Sequence, residues 1–234
     1  MGKLEKNSGL NYMIRFFDII VSAIAIILLF PFMIPIILVL KLTGEHDIFY
    51  KQTRIGKNGK PFQVLKFATM LRDSPNMPGG LITAPNDPRL LPLGNFLRKT
   101  KINELPQILN IFIGQMSVVG YRPFAKKHYE LYSDEVKQHI NTIRPGLTGI
   151  GSIIFRNEEE ILHSVSDREY FHDKIITPYK GKLECWYVKN QNIKNYFIII
   201  FCTILVILNS RINIWKHLFN DLPEMPTELK SYLK

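Results

Sequence analysis

Apolar and polar stretches of very unequal length alternate along the chain. Residues 1–11 are polar. Ile19–Leu40 then reads IIVSAIAIILLFPFMIPIILVL, with no charge and a single hydroxyl, Ser22. At about 1.5 Å per residue this run is long enough to cross a bilayer core. It is longer than the apolar region of a signal peptide, and no small-residue cleavage site follows it. The pattern predicts a membrane helix. Pro31 and Pro35 fall in its middle, where proline breaks or kinks a helix. Lys3, Lys6 and Arg15 precede the run, and Lys41, Lys51, Arg54, Lys57 and Lys60 follow it. The charge asymmetry that orients a spanning helix is therefore weak. Two topologies stay open on these residues: a kinked spanning helix, or a hairpin that turns at Phe30-Pro31 and returns to the same face. Arg15 and Asp18 share a helix face, where they either pair at the interface or are solvated separately.

From Glu45 the pattern becomes that of a soluble domain. Ile48–Gln52 and Phe62–Phe67 read as strands around a turn at Gly56–Gly59. Residues 73–88 are rich in Pro, Gly, Asn and Asp and read as a long loop. Arg89–Thr100 holds a short helix. Leu105, Ile108, Leu109, Phe112 and Ile113 then recur with helical spacing and predict a helix whose apolar face enters the core, closed by Gly114. Asn103 fits its N-cap, because an amide oxygen accepts from an orphan backbone N–H. Pro106 fits the first turn, where its missing N–H costs little. Ser117–Val119 is a short strand. Residues 124–143 form a charged amphipathic helix with Tyr129, Tyr132 and Val136 inward and a restart at Ser133. Arg144 lies in a Pro/Gly-rich turn that either admits a ligand to the backbone or is simply structural. Arg156 falls at a strand end. Glu158–Glu160 reads as a solvated helix start, and His163 and His172 read as structural. Tyr196–Leu208 is a second apolar run; at 13 residues it is short for a crossing and fits an interfacial helix. The tail 211–234 adds a second amphipathic segment with Trp215, Leu218 and Phe219.

Composition narrows the partners. A formal net charge of +10 over 234 residues points to a polyanion: nucleic acid, anionic lipid or a phosphorylated substrate. No recognition-helix or RNA-binding signature is present, so nucleic acid is not expected. Cys185 and Cys202 show neither a disulfide framework nor metal-ligand spacing, which fits a reducing, cytoplasmic setting.

The polar chemistry gathers between Leu97 and Pro123. Arg98, Lys99 and Lys101 precede Asn103 and Glu104; Gly120, Tyr121, Arg122 and Pro123 follow the strand. A carboxylate at a helix start stays ionised and can hold a divalent metal, while neighbouring Arg and Lys hold phosphates. The same residues also fit an ordinary capped helix with solvated basic neighbours.

With these pieces in order, the chain resembles the bacterial sugar transferases, small monotopic polyprenyl-phosphate phosphoglycosyl transferases. The resemblance covers about Ile14–Asn190. It rests on the apolar segment with its central proline and on the blocks KFATM (66–70), NDPRL (86–90), GNFLRKT (94–100), NELPQILN (103–110), GQMSVVGYRP (114–123), RPGLTG (144–149) and WYVKN (186–190). It implies an α-rich α/β monotopic membrane protein on the cytoplasmic face of the bacterial inner membrane. The expected parts are a re-entrant helix over 1–44 with its break at Phe30-Pro31 and Arg15 as interface anchor, a catalytic domain over 45–190, and amphipathic interfacial helices over 191–234. It implies transfer of a sugar 1-phosphate from a UDP-sugar to undecaprenyl phosphate with release of UMP, the first membrane step of capsule, exopolysaccharide, O-antigen or glycoprotein glycan assembly. Mg²⁺ is the implied cofactor. Anionic membrane lipid is an implied partner, and a homodimer or contact with downstream glycosyltransferases is compatible.

The family's reaction centre is an Asp-Glu dyad in which the Asp attacks the sugar-bearing phosphate. Glu104 keeps the Glu, as catalytic residue and metal ligand. Asn103 stands where the Asp belongs, and an amide is a poor nucleophile. Lys66, Arg98, Arg122, Arg144 and Arg156 are carried over as ligands of the UDP or lipid phosphate. Two lesser departures are Ala68, where a basic residue is usual, and Tyr121, where a Pro is common. Three readings of Asn103 remain: Glu104 acts as nucleophile, base or metal ligand; the protein is a catalytically silent homologue that binds polyprenyl phosphate or a pathway partner; or Asn103 is an introduced substitution.

Overall fold

A computed structural model describes residues 6–77, 87–209, 212–219 and 221–233. It is helix-rich with two small sheets. The first element, α1 (Lys6–Leu42), is a single helical stretch of 37 residues. Its most apolar window is only 6% buried, although the helix is long and apolar enough to cross a membrane. This marks α1 as a membrane-associated helix. Helical backbone continues through Pro31 and Pro35.

Antiparallel strands β1 (Phe49–Ile55) and β2 (Pro61–Phe67) follow, in register Tyr50↔Lys66, Gln52↔Val64 and Arg54↔Phe62. Two short helices come next, α2 (Gly94–Lys99) and α3 (Gln107–Phe112), separated by a 3-10 turn at Ile102–Glu104. The Asn110 amide fixes α3 against β2, accepting from Leu65 N–H at 3.0 Å and donating to Gln63 O at 2.8 Å. Gly114 closes the turn after α3 with φ +88°, a value that favours glycine. The apolar face of α3 departs from expectation. Ile108 and Ile111 are buried with Gln107 and Asn110, whereas Leu109, Phe112 and Ile113 are exposed. Of the expected face Ile108 is buried and Leu105 partly so, while Leu109, Phe112 and Ile113 look out of the protein.

A parallel pair forms the second sheet, β3 (Ser117–Val119) with β4 (Gly146–Thr148). Between them lie α4 (Lys126–Glu130) and α5 (Asp134–Ile140), two helices in place of the single one expected, with Ser133 capping α5 through Val136 N–H. The Pro/Gly-rich turn at 144–149 serves this pairing. A Cβ on Gly146 or Gly149 would strike the backbone of Gly120, so these glycines let two strand ends meet. Next is α6 (Ile150–Ile154), a helix where a strand was expected, and Arg156 lies in the turn after it. Then come α7 (Glu158–Ser164), α8 (Arg168–Tyr170), a π-helical turn at Phe171–Ile176, α9 (Thr177–Lys189), α10 (Ile193–Leu208) and α11 (Trp215–Leu218). α10 buries Tyr196, Ile199, Cys202 and Val206 and exposes Phe197, Phe201, Ile204 and Ile207. Trp215 and Phe219 turn inward, and Phe219 meets Trp186 edge-on at 5.3 Å, leaving Leu218 at the surface.

Asp18 ties these layers together. It is fully buried, and its Oδ1 accepts from Ser117 Oγ at 2.9 Å, Val118 N–H at 2.8 Å and Tyr196 Oη at 2.9 Å. One carboxylate thus joins α1, β3 and α10. Arg15 does not pair with it by hydrogen bond. Its Nη1 and Nη2 donate to Ile111 O and Phe112 O at 2.6 Å each, placing positive charge on the C-terminal end of α3. Asp18→Ala strands three buried donors. We expect a loss of about 2–4 kcal/mol, read as a lowered Tm of the detergent-solubilised chain; an unchanged Tm contradicts the tie.

Candidate active site

Glu104 ends the 3-10 turn that links α2 to α3. Lys101, the residue before that turn, is left-handed at φ +60°, and Pro106 occupies the N-cap position of α3. Asn103 therefore does not cap the helix. It lies inside the turn, buried, with its Oδ1 lacking a hydrogen-bond partner. The left-handed kink at Lys101 and the proline at the cap site displaced the expected arrangement.

Cations surround the Glu104 carboxylate. Arg122 Nη2 donates to Oε1 at 2.8 Å and Nη1 to Oε2 at 3.4 Å; Lys66 Nζ lies 3.6 Å from Oε1. Lys66 is brought there by the end of β2, and Arg122 by the tight Gly120-Tyr121 exit from β3. Burial alone would raise the Glu104 pKa, but Arg122 and Lys66 outweigh it and hold the carboxyl well below its usual range. Lys66 is pushed down to about 8 by burial, with Arg122, Arg54 and Arg98 adding to the effect and Glu104 opposing it. Arg54 is lowered by burial first, then by Arg122. Arg98 Nη1 lies 3.6 Å from Met70 Sδ. Several cations thus share one carboxylate, an excess of positive charge built to receive an anion of more than one charge.

A second group flanks this pocket. Glu158 is half-buried and ion-paired with Lys180 at 2.5 Å. His172 Nδ1 meets Asp173 Oδ1 at 2.6 Å, its Nε2 lies 3.9 Å from Glu158 Oε1, and its ring is 5.2 Å from that of His128. Glu158 is therefore no simple solvated helix start. With Glu159 it adds to the field that raises the Arg122 pKa, after the dominant effect of Glu104.

Residues 10–210 match the family described as bacterial sugar transferase. The chain belongs to that family. An uncharacterized sugar transferase of Haemophilus influenzae is 35% identical over 209 residues, covering 83% of this chain and 41% of the relative. The UDP-glucose:undecaprenyl-phosphate glucose-1-phosphate transferase of Escherichia coli is 36% identical over 168 residues, covering 70% of this chain and 36% of the relative. The exopolysaccharide production protein ExoY of Sinorhizobium fredii is 31% identical over 211 residues, covering 84% and 86% respectively. The chain spans about two-fifths of the length of the first two relatives and most of ExoY.

In this sugar transferase the motif residues divide. Lys66, Arg98, Glu104 and Arg122 come together, with Asn103 beside them. Arg144 does not join: its Nε donates to Gly114 O at 2.8 Å, on the α1 side of α3 beside Arg15. Arg156 makes no hydrogen bond or ion pair among the described residues. The long loop expected to close over a substrate lies mostly outside the described residues; its near end is clamped by the buried pair Arg89–Asp87 at 2.6 Å. Arg54 was not singled out in the sequence as a site residue, although it lies close enough to Glu104 and Arg122 to feel their charges. The hairpin register held a signal for Arg54, because positions 54 and 66 fall on one face. A lysine titration tests the electrostatics. With methylated lysines read by NMR, Lys66 should titrate near pH 8, not at the ordinary 10.5, and lower still in Glu104→Gln, where its carboxylate support is gone. A midpoint near the ordinary value contradicts the arrangement.

Proposed function

We propose that the chain transfers a sugar 1-phosphate from a UDP-sugar to undecaprenyl phosphate, releasing UMP, at the cytoplasmic face of a bacterial inner membrane. The observation that carries this reading is the ionised carboxylate of Glu104, held by Arg122 and Lys66, with Arg54 close enough to feel its charge and Arg98 beside Lys66. The names of the E. coli and ExoY relatives support the substrate class and the link to exopolysaccharide.

The cations bind the diphosphate, with Arg122 suited to bidentate contact. Arg122 and Lys66 keep Glu104 ionised at the working pH, the form a carboxylate nucleophile needs. Glu104 acts as the nucleophile. One oxygen attacks the sugar-bearing phosphorus; the P–O bond to the uridine-bearing phosphate breaks and its electron pair leaves with UMP. The lipid phosphate then attacks the same phosphorus and frees Glu104. Asn103 orients a phosphate oxygen through its amide N–H.

Magnesium fits here only as an ion carried in by the diphosphate. Among the described residues no three His, Cys, Asp or Glu side chains gather as a metal site. The available oxygens are Glu104 Oε2 and the unpartnered Asn103 Oδ1. Such an ion uses one or two protein oxygens plus substrate phosphates and would neutralise diphosphate charge.

For topology we propose a re-entrant, monotopic α1 that bends near Phe30-Pro31. Its root is held at Asp18 by β3 and α10, while Leu40 packs on Phe67 and Leu97. About 33 Å of straight helix would separate these anchors, more than a bilayer core of about 30 Å. One small domain holds both, which suits a helix whose ends stay on one side. Exposed Phe96, Phe112, Ile113, Phe197 and Phe201 suit the same interface.

A second reading, a silent homologue, is favoured by the amide at Asn103. Purified protein in nanodiscs with Mg²⁺, undecaprenyl phosphate and a panel of UDP-sugars tests both. We expect UMP release with one sugar, abolished in Glu104→Gln while the UDP-sugar still binds. Full activity in Glu104→Gln refutes the assignment. Release only after Asn103→Asp establishes the silent reading.

A further inference from the structure

A second cationic group lies at the root of α1, away from Glu104. Gly114 stands between two guanidinium groups: its carbonyl accepts from Arg144 Nε at 2.8 Å, and a Cβ added to it would lie 3.3 Å from Arg15 Cζ. Arg15 spends both terminal nitrogens on the end of α3. Arg144 spends only Nε, so Nη1 and Nη2 have no protein partner among the described residues. Lys57, from the β1–β2 turn, lines the same small polar cavity as Arg144, together with Asn11, Asp18 and Gln191. Its ammonium has no ion pair among the described residues, and burial and then Arg144 pull its pKa below the ordinary value. Asp18, the one acid lining the cavity, spends Oδ1 on three hydrogen bonds, while its buried Oδ2 has no hydrogen-bond partner among the described residues.

One acid against Lys57, Arg144 and Arg15 leaves an excess of half-buried positive charge, which is costly unless an anion arrives from outside. The surroundings specify its source. Exposed Tyr12, Met13 and Phe16 lie on the outward face of the same helix turns, just before the apolar run, a position suited to lipid headgroups. We infer that Lys57 and Arg144, backed by Arg15, form a site for the phosphate of an anionic glycerophospholipid headgroup, separate from the Glu104 pocket. The lipid would pin the root of α1 to the membrane surface. The inference rests on the membrane placement proposed above, but not on turnover.

Calorimetric titration of the full chain in an uncharged detergent tests it, using short-chain phosphatidylglycerol, short-chain phosphatidylcholine and inorganic phosphate as separate probes. Phosphatidylglycerol should bind about tenfold more tightly than either other probe. Arg144→Gln and Lys57→Gln should each weaken it by about tenfold, and Arg122→Gln should leave it unchanged. Lys57 has no partner to lose, so Lys57→Gln retains the fold and keeps the test decisive even if Arg144→Gln unfolds. Unchanged binding in Lys57→Gln overturns the site. Equal binding of inorganic phosphate overturns the lipid as its occupant, and equal binding of phosphatidylcholine overturns its demand for net negative charge. Loss of binding in Arg122→Gln assigns the lipid to the Glu104 pocket instead. None of these readouts depends on UMP release, so failure here leaves the transferase proposal standing.

Discussion

The Asp18 carboxylate is where the membrane helix and the soluble domain become one body. Its three donors come from β3 and α10, far apart in the sequence, and all are buried. Charge buried in this way is tolerated only when hydrogen bonds replace water. The geometry that satisfies Asp18 Oδ1 therefore also fixes the root of α1 against β3, although Oδ2 is buried without a hydrogen-bond partner among the described residues. Because β3 leads through Gly120 to Arg122, the same tie sets the register of the reaction pocket relative to the apolar helix. Arg15 makes the complementary contact one turn earlier, on the end of α3. The 3-10 turn carrying Glu104 is held at the other end of that short helix.

Around this frame, positive charge is sorted into two places. In one, Glu104 lowers the mutual repulsion of Lys66, Arg54, Arg98 and Arg122 without neutralising it. The two pKa values fall for different reasons: burial lowers Lys66, with neighbouring cations adding to it, whereas burial opposes the fall of Glu104, which Arg122 and Lys66 impose. Such a pocket favours a diphosphate over a single phosphate, since two adjacent charges answer more of the excess. The other group lies at the opposite, C-terminal end of α3, beside the root of the membrane helix. Short α3, pinned by Asn110 to β2, separates the two.

Much of this was legible in the sequence, where local chemistry decides the outcome. The membrane run, the hairpin strands, the glycine after α3 and the Ser133 restart follow from patterns within short blocks, whereas the gathering of Lys66, Arg98 and Arg122 around Glu104 was implied by the family resemblance. Other features depend on which surface meets which. Leu109, Phe112 and Ile113 mark a face by periodicity, but periodicity does not distinguish a protein core from an apolar exterior. Asn103 has the right chemistry for a cap, yet the left-handed Lys101 and the position of Pro106 leave it inside a turn. Arg144 sits in a block that resembles a phosphate-binding motif, while its turn glycines are consumed by close approach to Gly120. Arg54 carries no motif and becomes visible only once the hairpin register is counted.

The claim on which the account rests is that the cations around Glu104 grip a diphosphate. Equilibrium binding of UDP to the purified chain, compared between the parent and Arg122→Gln, measures this most directly. The account predicts that UDP binds the parent and that loss of the Arg122 fork weakens it by at least about tenfold. Equal affinity in the two proteins would contradict it and move the nucleotide site away from Glu104.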